Sequence, residues 1–249
     1  MQVFVAADAP AAAEKAADMV ENVVRARSRP RIGMATGSTM DGVYQSLVDR
    51  YQAGGLSFAG TSIYLLDEYA GLDPEHPQAF RNVIRKGLSD HVDLSEDAVF
   101  GPDGRAPDLE AEARCYDQLV TEARIDIQLL GIGSNGHIAF NEPGTPLDAS
   151  SGVVALSEQT RRDNARFFSS IDEVPRQAIT QGIGTILQAR KILLVAFGDH
   201  KSRPIRDAVE GPVSVETPAS AIQLHADVSV VLDAQAASLL SSARPGAVS

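Results

Sequence analysis

The stretch GIGSNG, Gly131 to Gly136, follows an apolar run, IDIQLL, and satisfies the G-x-G-x-x-G pattern of a dinucleotide-binding loop. A pyrophosphate-binding loop runs directly into a helix whose N-terminus faces the phosphates. Here the glycines lead into HIAFNEPG, where Pro143 and Gly144 stop any helix within two turns. What the stretch does gather into one tight loop is Asn135, His137 and Glu142. An imidazole, with an ordinary pKa of ~6.5, takes and returns a proton near neutral pH when its neighbours fix its tautomer. His137 is therefore the candidate acid–base residue, with Glu142 and Asn135 as its orienting groups. His76, His91, His200 and His225 read better as ordinary turn or core histidines.

Three other places carry chemistry-bearing residues. The turn ATGST follows an apolar run and opens a helix, so Gly37, Ser38 and Thr39 can offer hydroxyls and backbone N–H groups at a partly positive helix end, which suits a phosphate. No Lys follows the glycine, so it is not a Walker loop, and taken alone it fits an ordinary Ser/Thr cap equally well. In LLDEYAGL, Asp67 ends a strand where a carboxylate can face a ligand, while Glu68 should point the other way; alone, Asp67 also fits a loop-capping role. Arg166 in DNARFF and Lys201 after ILLVAFG are the cations that would complete an anion site.

The elements that position these loops are legible from the alternation of short apolar runs with amphipathic ones. Strands are expected at 3–6, 32–35, 63–66, 125–130, 192–197 and 228–232, most of them apolar on both faces. Helices are expected at 10–25, along the stripe Val43, Leu47, Val48 and Tyr51, and at 78–88, 109–123, 176–188, 201–209 and 234–240. This alternation predicts a single α/β domain: an open, mostly parallel sheet with helices on both faces, modified Rossmann-like, its ligand site beyond the carboxyl ends of the strands. Residues 143–170, polar and long, are expected to be irregular and lid-like.

Composition narrows the function classes. The 249 residues carry 22 Lys and Arg against 33 Asp and Glu, a formal charge of -11, which argues against a nucleic-acid partner. The N-terminal MQVFVAADAPAAAEKAADMV has neither the basic start nor the continuous apolar core of a secretory signal, and no run of ~20 apolar residues suggests a membrane span. The lone Cys115 is expected to be a buried or half-buried thiol in a reducing compartment. A soluble cytoplasmic protein acting on a small molecule is the expectation, and a homo-oligomer is compatible with it.

Taken together, TGST, LDEY followed by PEHP, G-x-G-x-N-G-H-I-A-F-N-E-P, TR-x-x-NARFF and the late IQLH, in that order over residues 32–232, resemble the glucosamine-6-phosphate deaminase family. The resemblance implies conversion of glucosamine 6-phosphate and water into fructose 6-phosphate and ammonia, without metal or organic cofactor. It implies Asp67 as the base moving a proton between C2 and C1, and His137 with Glu142 as the ring-opening pair. Gly37, Ser38, Thr39, Arg166 and Lys201 would hold the phosphate. Some members carry Asp where this chain has Asn135, whose amide orients by hydrogen bonding without sharing negative charge. Members activated by an N-acetylated sugar phosphate carry an Arg and a Lys where this chain has Gly152 and Val154, so that activation is expected to be absent. The rival readings are a 6-phosphogluconolactonase-like hydrolase, which shares a GxGxxGH-type loop, and a non-catalytic sugar-phosphate sensor, for which the chain offers no DNA-binding module.

Overall fold

In the computed structural model, which describes residues 1–241, the chain runs β1 (Gln2–Ala6), α1 (Ala9–Ala26), β2 (Arg31–Met34), α2 (Ser38–Gln52), β3 (Ser62–Leu65), β4 (Asp67–Tyr69), α3 (Phe80–Gly87), β5 (Val99–Phe100), α4 (Leu109–Ala123) and β6 (Ile127–Leu130). It continues through β7 (Gly152–Ala155), α5 (Glu158–Asn164), β8 (Gln177–Thr180), α6 (Ile183–Ile186), β9 (Ile192–Ala196), α7 (Ser202–Val209) and β10 (Val228–Asp233). Local chemistry sets several boundaries. Asp8 caps α1 by accepting the Ala11 N–H at 2.9 Å, and Asp108 caps α4 on Ala111 at the same distance. The buried stripe of α1 is Ala12, Ala13, Ala16, Ala17, Val20 and Val24, small enough for α2 to lie close against it.

Seven strands form one sheet in the order β1-β10-β9-β6-β2-β3-β5, every pairing parallel. Every residue of β6, β9 and β10 is buried, as strands covered by helices on both faces must be. The chain steps outward from β2 to β3 and β5, then returns to lay β6 on the other side of β2 and continues to β9 and β10. The order therefore reverses between β2 and β6, and the crevice at their carboxyl ends is where such sheets bind ligands. The loops carrying Gly37 and His137 leave from those two strands; the Asp67 and Lys201 loops leave from their outer neighbours, β3 and β9.

A second sheet, β4-β8-β7, is antiparallel and was not expected. Its three or four residues per strand are too short to show a period. The expected helix at 176–188 is instead strand β8 and the four-residue helix α6: Ala178 and Ile179 are fully buried between β4 and β7, and pairing on both sides overrides helical propensity. The lid-like segment 143–170 also holds regular structure, β7 and α5. Residues 234–239 form consecutive turns, so the helix expected at 234–240 is absent. Cys115 is exposed, because the buried face of α4 is Ala113, Tyr116, Val120 and Ala123.

Candidate active site

The glycine turn after β2 carries no ordinary Ser/Thr cap. The N-cap of α2 is Gly37, at φ +103°, and no side chain accepts a hydrogen bond from the first turn. The N–H groups of Ser38 and Thr39 thus have no side-chain acceptor at the positive end of a 15-residue helix, where an anion would be favoured. Behind the turn, the buried Tyr44 hydroxyl donates to the Ala35 carbonyl and holds it in place.

Asp67 opens β4 and is buried. Among the described residues its carboxylate accepts no hydrogen bond. Burial, with the charge of Glu68 adding to it, pushes its carboxyl well above the usual range. Glu68 points the other way, as strand alternation requires: its carboxylate accepts the N–H groups of Tyr69 at 2.9 Å, Phe80 at 2.8 Å and Arg81 at 3.4 Å, capping α3. Two adjacent carboxylates thus have opposite surroundings. One is saturated with donors and structural, and the other keeps its lone pairs free.

His137 lies in a loop bent by Gly136 at φ +84° and by Ala139 at φ +49°, a left-handed position for a residue with a Cβ. Its imidazole packs over Gly133, where a Cβ would sit 2.3 Å from the ring. The second glycine of the fingerprint therefore makes room for a histidine rather than a pyrophosphate. Glu142 Oε2 accepts the Asn135 amide at 2.7 Å and lies 3.9 Å from His137 Nδ1, too far for a hydrogen bond, so that buried nitrogen has no partner. Burial lowers the His137 pKa, Lys201 assisting and Glu142 and Asp163 opposing, and the ring rests neutral at pH 7. Burial pushes Glu142 up, but Thr160, His137, Asn135 and Ser157 outweigh it and hold the carboxyl below its usual value.

Several contacts draw these loops together. Asp67 lies opposite Thr180 in the β4–β8 ladder, and Thr180 Oγ1 accepts the Phe140 N–H at 3.1 Å, joining the Asp67 strand to the His137 loop. Lys201, half-buried, donates from Nζ to the Ile132 carbonyl at 2.7 Å, joining the loop after β9 to the same place. Burial lowers its pKa; the nearby Arg166 acts in the same sense and Asp163 opposes. Arg166 is exposed, with its guanidinium 4.7 Å from the Phe167 ring centroid. Behind the site, Tyr69 packs against Phe80, Phe140 and Phe168 at centroid distances of 4.7, 5.6 and 5.8 Å. Tyr69, Phe140 and Phe168 lie two or three residues beyond Asp67, His137 and Arg166, so one aromatic cluster backs all three loops.

Sequence reasoning gave no role to Thr160, whose hydroxyl donates to Glu142 Oε1, or to Asp163, which accepts from Ser134 Oγ at 2.9 Å. Both lie within the quoted TR-x-x-NARFF block, and their three-residue spacing with Arg166 was the available signal. Thr217, against Gly136, carried none. The other histidines are placed structurally: His76 stacks on Phe168, and His225 bridges the Asp227 and Ala189 carbonyls. His91 Nε2 meets the Lys86 carbonyl at 2.9 Å, and His200 is exposed. Among the described residues, no group of three His, Cys, Asp or Glu side chains is placed to hold a metal ion.

The fold defines a class: α/β proteins built on an open parallel sheet, with the candidate acid–base loops at its switch point. Residues 6–231 match the family described as glucosamine-6-phosphate isomerases/6-phosphogluconolactonase, and the chain belongs to it. A glucosamine-6-phosphate deaminase of Rhodococcus jostii is 49% identical over 225 residues, covering 90% of this chain and 86% of that protein. The Bacillus pumilus deaminase is 47% identical, covering 91% of this chain and 94% of its own. Among solved structures, a monomeric glucosamine-6-phosphate deaminase superposes with a TM-score of 0.94 at 43% identity, over 96% of this chain and all of that one. The 6-phosphogluconolactonase of Trypanosoma brucei, 19% identical, shares the fold with a TM-score of 0.74 over 96% of this chain and 98% of that one.

Proposed function

We propose that this protein converts glucosamine 6-phosphate and water into fructose 6-phosphate and ammonia. His137 moves a proton from the C1 hydroxyl to the ring oxygen and opens the pyranose. Asp67 then takes the C2 proton while the C1 oxygen takes up a proton from solvent to give an enolamine, and returns a proton at C1 as the amine nitrogen gives one up to solvent. Because the two carbons are adjacent, one carboxylate serves both. The ketimine at C2 adds water and releases ammonia. Ser38 and Thr39 beyond Gly37, with Arg166 and Lys201, hold the phosphate, so that remote binding orients the reacting carbons.

The observation that carries this reading is the state of Asp67. A buried carboxylate without hydrogen-bond donors, bonded through its strand partner to the His137 loop, is a base kept free for a carbon-bound proton. Deaminase relatives at 45–49% identity over at least 90% of the chain support the same reading. No helix among the described residues is long and apolar enough to cross a membrane, consistent with a cytoplasmic setting. The test is incubation of the purified protein with glucosamine 6-phosphate, ammonia and fructose 6-phosphate being assayed separately. Equal amounts of both are expected. Hydrolysis of 6-phosphogluconolactone with no ammonia from the amino sugar would replace this reading with the lactonase one.

A further inference from the structure

Glu142 is held by two elements. From its own loop, Asn135 occupies Oε2 at 2.7 Å; from α5, the hydroxyl of Thr160 donates to Oε1. Thr160 is almost wholly buried, at 2% exposure, and its hydroxyl has a second partner: Ser157 Oγ, 3.1 Å away. Ser157 is itself fixed as the N-cap of α5, accepting the Thr160 N–H at 3.0 Å. The result is a closed relay in which Ser157 donates to Thr160 and Thr160 donates to Glu142. One helical turn further along, Asp163 accepts from Ser134, which adjoins Asn135, so α5 is fastened to the acid–base loop at two points.

We propose that Thr160 is a positioning residue for the acid–base pair, its hydroxyl fixing Glu142 as an ionised acceptor beside His137. The inference rests on the reading of His137 and Glu142 as the ring-opening groups. Both Glu142 oxygens are engaged by donors outside the imidazole, which explains why Nδ1 stands 3.9 Å away without a partner. The carboxylate therefore acts on the ring through its charge, stabilising the imidazolium formed during proton transfer. Removing the hydroxyl leaves Asn135 and, more weakly, Ser157 as the remaining donors to the carboxylate. The Glu142 carboxyl then takes up a proton at higher pH, and the imidazolium loses its counter-charge over a wider acid range. The charged groups facing His137 from the other packed elements, Lys201 and Asp163, are untouched by the change.

The experiment compares wild type, Thr160→Val and Thr160→Ser, each first shown to melt cooperatively, in steady-state deamination from pH 4 to 9. Valine keeps the shape without the hydroxyl; serine keeps the hydroxyl without the methyl. Thr160→Val is expected to lower kcat about tenfold, the loss of roughly one hydrogen bond to a charged group. KM should stay within about twofold, and the acid limb of the kcat profile should move to higher pH. Thr160→Ser should restore both the rate and the profile. A Val variant with wild-type kcat and pH profile, or a Ser variant no better than Val, would overturn the proposal. Absence of deamination in wild type would instead remove the functional reading beneath it.

Discussion

At residue 67 the chain keeps a carboxylate under conditions that oppose its charge. In the folded protein Asp67 holds its proton to higher pH than in the unfolded chain, so unfolding releases a proton between the two values. Stability falls as pH rises through that window, and above it the ionised group is a standing cost. Asp67→Asn is therefore expected to melt at a higher temperature than wild type at pH 8, with the gap closing below about pH 4, where both states carry the protonated acid. The same substitution removes the base and should lower kcat by about 100- to 10,000-fold. Differential scanning calorimetry and ammonia release measure the two effects; equal melting at both pH values would show that burial does not destabilise the ionised form. Gly133 is a second test at this scale, because a Cβ there meets the His137 ring at 2.3 Å. Gly133→Ala is expected to keep the fold and lose about 100-fold in kcat by displacing the imidazole, which steady-state kinetics with a melting control would check.

Among the elements, the aromatic cluster does the positioning that no single hydrogen bond does. Phe140→Ala is expected to cost about 3–5 kcal/mol of unfolding free energy in urea titration, and to raise KM as the Asp67 and Arg166 loops lose their common backing. A KM equal to wild type would mean that the loops are held independently. The long elements were legible in advance because their periods are: the apolar runs of β2, β6, β9 and β10, and helix α4 at 109–123, lie where the sequence reading places them. The antiparallel sheet was not legible. Asp67, Glu68 and Tyr69 carry no period, and Ala178 and Ile179 become strand only by pairing with partners far along the chain. The loops that carry Asp67, His137 and Lys201 were readable because each follows a parallel strand, β3, β6 or β9. Thr160 and Asp163 were not singled out: their spacing with Arg166 puts them on one helix face, but which loop that face meets depends on how α5 docks.

On the scale of the whole molecule, the central problem is how a chain of formal charge -11 admits a sugar phosphate. Local charge answers it. Lys201 lies within electrostatic reach of Arg166, and in the proposed site these two cations and the uncapped N-terminus of α2 hold the phosphate, a short-range attraction screened less by salt than the diffuse repulsion of the surface. Gly152 and Val154 lie in β7 and add no cation, so N-acetylglucosamine 6-phosphate is expected to leave the rate-versus-substrate curve unchanged. A steeper or left-shifted curve would reveal an effector site elsewhere. In the proposed site, four loops from four strands, β2, β3, β6 and β9, serve one ligand. The direct measurement is a crystal structure with an open-chain glucosamine 6-phosphate analogue reduced at C1. The prediction is a phosphate on the N–H groups of Ser38 and Thr39, with C2 within about 3.5 Å of the Asp67 carboxylate. A bound analogue whose phosphate lies away from that turn, or whose C2 faces a residue other than Asp67, would contradict it.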